Sequence, residues 1–109
     1  MNAIVDWAEM ERQLLHALCC ARTSSGRREA MLGHLARYEW REPEHRVVFD
    51  ALRGCRHCEG AALVRELPAR ATLLGFPDVQ WETYLEHGRC GGCEAIAERL
   101  GRELAGAGQ

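Results

Sequence analysis

The chain has no lysine, and all fourteen of its basic residues are arginine. No Schiff-base lysine and no phosphate-loop lysine can operate here, which removes nucleotide-hydrolysing motors of the P-loop kind. Aromatic residues are sparse, with three Trp, two Tyr and two Phe in 109 residues, so the core has to be built from Leu, Ala, Val and Met. No run of about 18 apolar residues occurs, and the opening Met1-Asn-Ala-Ile-Val-Asp-Trp7 lacks a secretory leader pattern. These absences predict a cytoplasmic chain with no membrane partner, in which thiols stay reduced. A formal charge of −2 gives no field for tight binding to nucleic acid. No nucleophile, base and orienting carboxylate stand together either. His16, His34, His45 and His87 are scattered, and the carboxylates around Glu9–Glu11, Glu42–Glu44 and Glu98–Glu103 read as solvated faces. No enzyme is expected.

What the sequence does have is helical periodicity. Asp6 stands at capping-box spacing from Glu9, and Trp7, Met10, Leu14, Leu15 and Leu18 recur at helical intervals, predicting a first helix over 7–21. A break at Thr23-Ser-Ser-Gly26 precedes a second helix over 27–37, with Met31, Leu32, Leu35 and Ala36 inward. Pro43 opens a third helix that carries Val47, Val48, Ala51 and Leu52 and ends at Gly54. A fourth, with Leu63, Val64 and Leu67, is expected to stop at Pro68 and to be followed by a short helical piece up to Leu74. Asp78 is the expected cap of a fifth helix carrying Trp81, Tyr84 and Leu85, and a last helix over 93–105 turns Ile96, Ala97, Leu100 and Leu104 inward. No segment alternates as a strand would. The reading is all-α: a compact bundle of about six helices in a single domain over 1–109, with its core over 5–105 and a frayed tail at 106–109.

The chemically specific feature is a pair of Cys-x-x-Cys motifs, Cys55-Arg-His-Cys58 and Cys90-Gly-Gly-Cys93. Four thiolates from two tight turns can enclose one tetrahedral zinc ion. The first pair falls between helices 3 and 4 and the second between helices 5 and 6. In an antiparallel bundle those corners share an end. A closed structural zinc site at Cys55, Cys58, Cys90 and Cys93 is the preferred reading. A redox dithiol at Cys90-Gly-Gly-Cys93 and incidental core thiols are the alternatives. Core packing is the default for at least one of Cys19 and Cys20, because neighbours on a helix point in different directions and cannot both face one metal. His57 is assigned to solvent or to the surroundings of the metal. The strip Arg27-Arg28, Arg37, Arg41 and Arg46 is interleaved with Glu29, Glu39, Glu42 and Glu44, so surface ion pairs are favoured over a zinc-stabilised nucleic-acid surface.

The segment Tyr38-Glu-Trp-Arg-Glu-Pro-Glu-His-Arg-Val-Val-Phe-Asp-Ala-Leu52, with Glu11-Arg-Gln-Leu-Leu-His-Ala-Leu18 before it and Trp81-Glu-Thr-Tyr-Leu85 after it, resembles the N-terminal domain of DnaB-type replicative helicases. A related fold occurs in the helicase-binding domain of bacterial primases. The resemblance spans residues 7–105 and is distinctive only over Pro43–Leu52. It implies a helical protein-interaction or adaptor module associated with replication, with a helicase or primase as partner and self-association left open. The family's ATPase domain is absent from this sequence, and the two Cys-x-x-Cys pairs are not part of its pattern.

Overall fold

Carboxylates and one guanidinium, reaching across from other elements, decide where several of the helices start and stop. The structure is a computed structural model that describes residues 6–20, 25–55, 57–85 and 93–107, apart from the side chains of residues 93, 94, 105 and 107. Its helices are α1 (Trp7–Leu18), α2 (Ser25–His34), α3 (Pro43–Gly54), α4 (Ala61–Leu73), α5 (Trp81–Leu85) and α6 (Cys93–Ala107), and no strand occurs among the described residues. The all-α reading holds.

α1 begins as its sequence predicts. The Asp6 side chain accepts the Glu9 N–H at 3.1 Å, while the Glu9 carboxylate turns away to Arg12 Nε at 2.8 Å. The helix ends at Leu18 rather than near residue 21. Arg28 of α2 is the physical reason: its Nε donates to the Leu18 carbonyl at 2.8 Å and its Nη2 to the Cys20 carbonyl at 3.1 Å. One side chain thus satisfies acceptors that a further helical turn would otherwise have used. α2 starts two residues earlier than expected because the Glu59 carboxylate accepts the Ser25 N–H at 3.0 Å. It ends at His34, which leaves Ala36 exposed.

α3 keeps its predicted bounds, with Pro43 in the first turn. α4 does not break at Pro68 and runs through it. Leu63, Leu67 and Ala71 are all fully buried on one face, so tertiary burial on both sides of the proline outweighs the lost hydrogen bond. Its unmatched acceptor, the Val64 carbonyl, belongs to a residue that is 41% exposed and can be hydrated. α4 closes in a Schellman motif: Gly75, at φ +92°, donates to the Thr72 carbonyl at 3.0 Å, and Phe76 donates to the Ala71 carbonyl at 2.9 Å. The N–H ahead of α5, on Gln80, is taken by Glu44 of α3 at 2.7 Å. Asp78, the expected cap, stays exposed in a turn.

The core is formed by Leu14, Leu15 and Leu18 of α1, Met31 and Leu32 of α2 with Leu35 just beyond it, Val48, Phe49 and Leu52 of α3, Leu63 and Leu67 of α4, Tyr84 of α5, and Ala97, Leu100 and Leu104 of α6. Tyr38 and Trp40 fold over it, Trp40 lying edge-on to Tyr38 with centroids 4.9 Å apart and 5.1 Å from Phe49. Val64 and Ile96, expected inside, are partly exposed. α2 and α6 run parallel in register: Arg27 Nη1 bonds Glu98 Oε1 at 2.9 Å, and Met31 sits against Gly101.

Candidate functional site: the thiol end of the bundle

Two helix corners are stitched together at one end of the molecule. At the α3–α4 corner Cys55 terminates α3, and the Cys58 N–H closes the turn onto the Cys55 carbonyl at 2.9 Å. The Cys55 side chain is buried and Cys58 is half-buried. Arg28, itself fully buried, donates from Nη1 to the Cys58 carbonyl at 2.9 Å. The same guanidinium therefore holds the carbonyls of Leu18, Cys20 and Cys58, while Glu59 holds the start of α2. A planar guanidinium with five fixed donors suits this role, where an ammonium could serve fewer directions.

Burial governs the thiols. It pushes the Cys19 thiol up to about 12 against the opposing pull of the Arg28 cation, and the Cys55 thiol up to about 11, with its neighbour Cys58 adding to the rise. Neither is a ready thiolate nucleophile. A cation binding at Cys55 would have to displace its proton.

Of the four predicted zinc ligands, Cys55 and Cys58 stand together in a tight turn closed by the Cys58 N–H on the Cys55 carbonyl, the form that half of a tetrathiolate site takes. Cys90 lies outside the described residues. Cys93 is the first residue of α6, and its side chain lies outside them too. The backbone register still locates the start of that helix. Glu98 is level with Arg27 near the beginning of α2, so Cys93, five residues earlier, lies about 7 Å further along the axis, toward the end that holds Cys20 and Cys58. Among the described residues no three Cys, His, Asp or Glu side chains are arranged to hold a metal ion. His57 is exposed, and Cys20 is disulfide-bonded.

Sequence reasoning missed three polar residues of the interior. Arg28, grouped with surface arginines, lies on the inner face of α2, spaced by three, four and seven residues from Met31, Leu32 and Leu35. Glu11, read as part of a solvated face, is fully buried, and so nearly is His45. The Glu11 carboxylate accepts the Tyr38 hydroxyl and the Arg41 N–H at 3.0 Å, and it meets His45 Nδ1 at 2.9 Å. This network ties α1 to the α2–α3 connection and to the first turn of α3. Glu44 holds α5 in the same way, accepting the Tyr84 hydroxyl at 3.1 Å.

The arginine strip is dispersed in the fold. Arg28 is internal, Arg27 pairs with Glu98, Arg46 lies 3.7 Å from Asp50, and Arg41 stacks over Trp7 at 5.4 Å. A different surface feature stands out at the end of α4, where Leu73, Leu74 and Phe76 are 80%, 49% and 47% exposed. No family model, no curated protein and no solved structure matches this chain.

Proposed function

We propose that the chain is a non-catalytic protein-interaction module of the kind its resemblance implies, a helicase N-terminal-domain-like adaptor linked to replication, stabilised by one structural zinc at Cys55, Cys58, Cys90 and Cys93. The observation that carries the interaction reading is the exposed apolar cluster Leu73, Leu74 and Phe76. Three large apolar side chains left in water at one helix end have a cost that a partner's surface recovers. The Gly75 and Phe76 hydrogen bonds pin that end, so little ordering is required on binding. Dispersal of the arginines supports a protein partner over a nucleic acid. The zinc part is supported by the tight Cys55–Cys58 turn and by the position of the α6 start.

The test is capture on the full chain, comparing wild type with Leu73→Ser/Phe76→Ser. Enrichment of a replicative helicase or primase by wild type, lost in the double variant, is the expected result. Wild type enriching neither enzyme removes the replication link. Metal analysis of the reduced protein tests the rest, the expected result being one zinc per chain with thiols that react only after chelation.

A further inference from the structure

Cys55 and Cys58 make a two-thiol unit that is complete within one corner of the fold. Both are free thiols, and the Cys58 N–H on the Cys55 carbonyl at 2.9 Å brings the two residues into one turn. We infer that this pair alone forms a two-thiolate site for a soft monovalent cation, of which copper(I) is the biological representative. The inference goes beyond the zinc reading above, because it uses no sulfur outside the turn.

Ligand number and softness favour that class of cation. Two thiolates satisfy a soft monovalent ion with a filled d shell, whereas zinc in a structural site asks for four ligands. Charge balance agrees. Two thiolates around one monovalent cation carry a single net negative charge, and guanidiniums face the pair from two helices. Arg28 of α2 is fully buried, donates to the Cys58 carbonyl at 2.9 Å and lies within electrostatic reach of both sulfurs. Burial works against a Cys55 thiolate, and Arg70 of α4 works for it. That side chain packs over Gly54, where a β-carbon would stand 3.3 Å from it.

The turn also shelters what it binds. Cys55 is 2% exposed and belongs to the core, with Cys58 half-buried against it. An incoming cation therefore meets Cys58 first and leaves water at Cys55, where its reduced state is protected from dissolved oxidants. Each thiol loses one proton, two sulfur–copper bonds form, and no electron moves. Arg28 on the Cys58 carbonyl and Glu59 on the Ser25 N–H at 3.0 Å hold the corner before the ion arrives, so little ordering is required.

The experiment titrates copper(I), buffered by bicinchoninate under anaerobic reducing conditions, into the purified full chain. Cys90→Ser/Cys93→Ser is expected to retain one copper(I) per chain against the chelator, with two sulfur neighbours by X-ray absorption. Adding Cys58→Ser is expected to abolish that retention while the helical circular dichroism is kept. A second readout needs no variant: cleavage after arginine places Cys55 in the peptide 54–56 and Cys58 in the peptide 57–65, and copper(I) is expected to protect both from alkylation. No retention in Cys90→Ser/Cys93→Ser, more than two sulfur neighbours there, retention after Cys58→Ser, or undiminished alkylation of Cys58 overturns the site. A wild-type chain that takes no zinc overturns the zinc reading instead and leaves these results to decide the copper site.

Discussion

Glu11 of α1 and His45 of α3, 34 residues apart, meet at 2.9 Å inside the core. The same carboxylate also accepts the Tyr38 hydroxyl and the Arg41 N–H, so truncating it strands several buried donors at once. Glu11→Ala is expected to cost about 3 kcal/mol or more in urea unfolding. His45→Ala should cost less in that background than alone, since the two losses share an interaction. A cost below about 1 kcal/mol for Glu11→Ala would mean that the network contributes little to stability.

Which parts of this fold were legible follows from where the deciding interactions lie. Asp6 and Pro43 act within their own first turns, so the starts of α1 and α3 can be read from neighbouring residues. The end of α1 and the starts of α2 and α5 depend on Arg28, Glu59 and Glu44, whose partners lie in other elements. A charge on an apolar stripe was the available signal. Glu11 stands between Trp7 and Leu14, Arg28 between α1 and Met31, and His45 ahead of Val48 and Phe49. Of the thiol site, the turn at Cys55–Cys58 was legible from its spacing. The place of Cys20 beyond the end of α1 was not, because helix periodicity extended α1 past a carbonyl that Arg28 holds.

Pro68 inside α4 gives a prediction of unusual sign. The proline removes a donor to the Val64 carbonyl within a continuous helix, a defect of about 3 kcal/mol at an interior position. Alanine would restore the bond, and the freer unfolded chain would take back about 0.4–1 kcal/mol. Pro68→Ala is therefore expected to stabilise the fold by about 2 kcal/mol, seen as a raised melting temperature. A lowered one would show that the half-buried ring contributes more through packing than it costs in the helix.

Close approach of α2 and α6 depends on Gly101. A β-carbon there would lie 2.1 Å from Met31 Sδ and 3.0 Å from its Cε, and Met31 is buried. Gly101→Val is expected to destabilise by about 1–2 kcal/mol, overpacking exceeding the small gain in helix propensity. Adding Met31→Ala should give a double variant more stable than the sum of the single losses by about 1 kcal/mol. Strict additivity in thermal or urea unfolding would place the clash elsewhere.

Alkaline pH tests the hydroxyl partners. Burial, reinforced by the Glu11 carboxylate, holds the Tyr38 hydroxyl up to about 12 against an ordinary value of 10.0, and burial with Glu44 raises Tyr84 as well. Each folded-state value lies above its unfolded one, so between them the native chain keeps protons that the unfolded chain has released. The resulting stability is complete below about pH 10 and is lost as pH climbs toward 12. Tyrosinate absorbance and loss of helical circular dichroism should therefore rise together across that window. The thiols of Cys19 and Cys55 shift in the same direction, so the difference between wild type and Tyr38→Phe isolates the Tyr38 share, which is expected as a shallower decline in the variant. Tyrosinate forming near pH 10 in a chain that keeps its helical signal would mean that the Tyr38–Glu11 and Tyr84–Glu44 hydrogen bonds do not persist in solution.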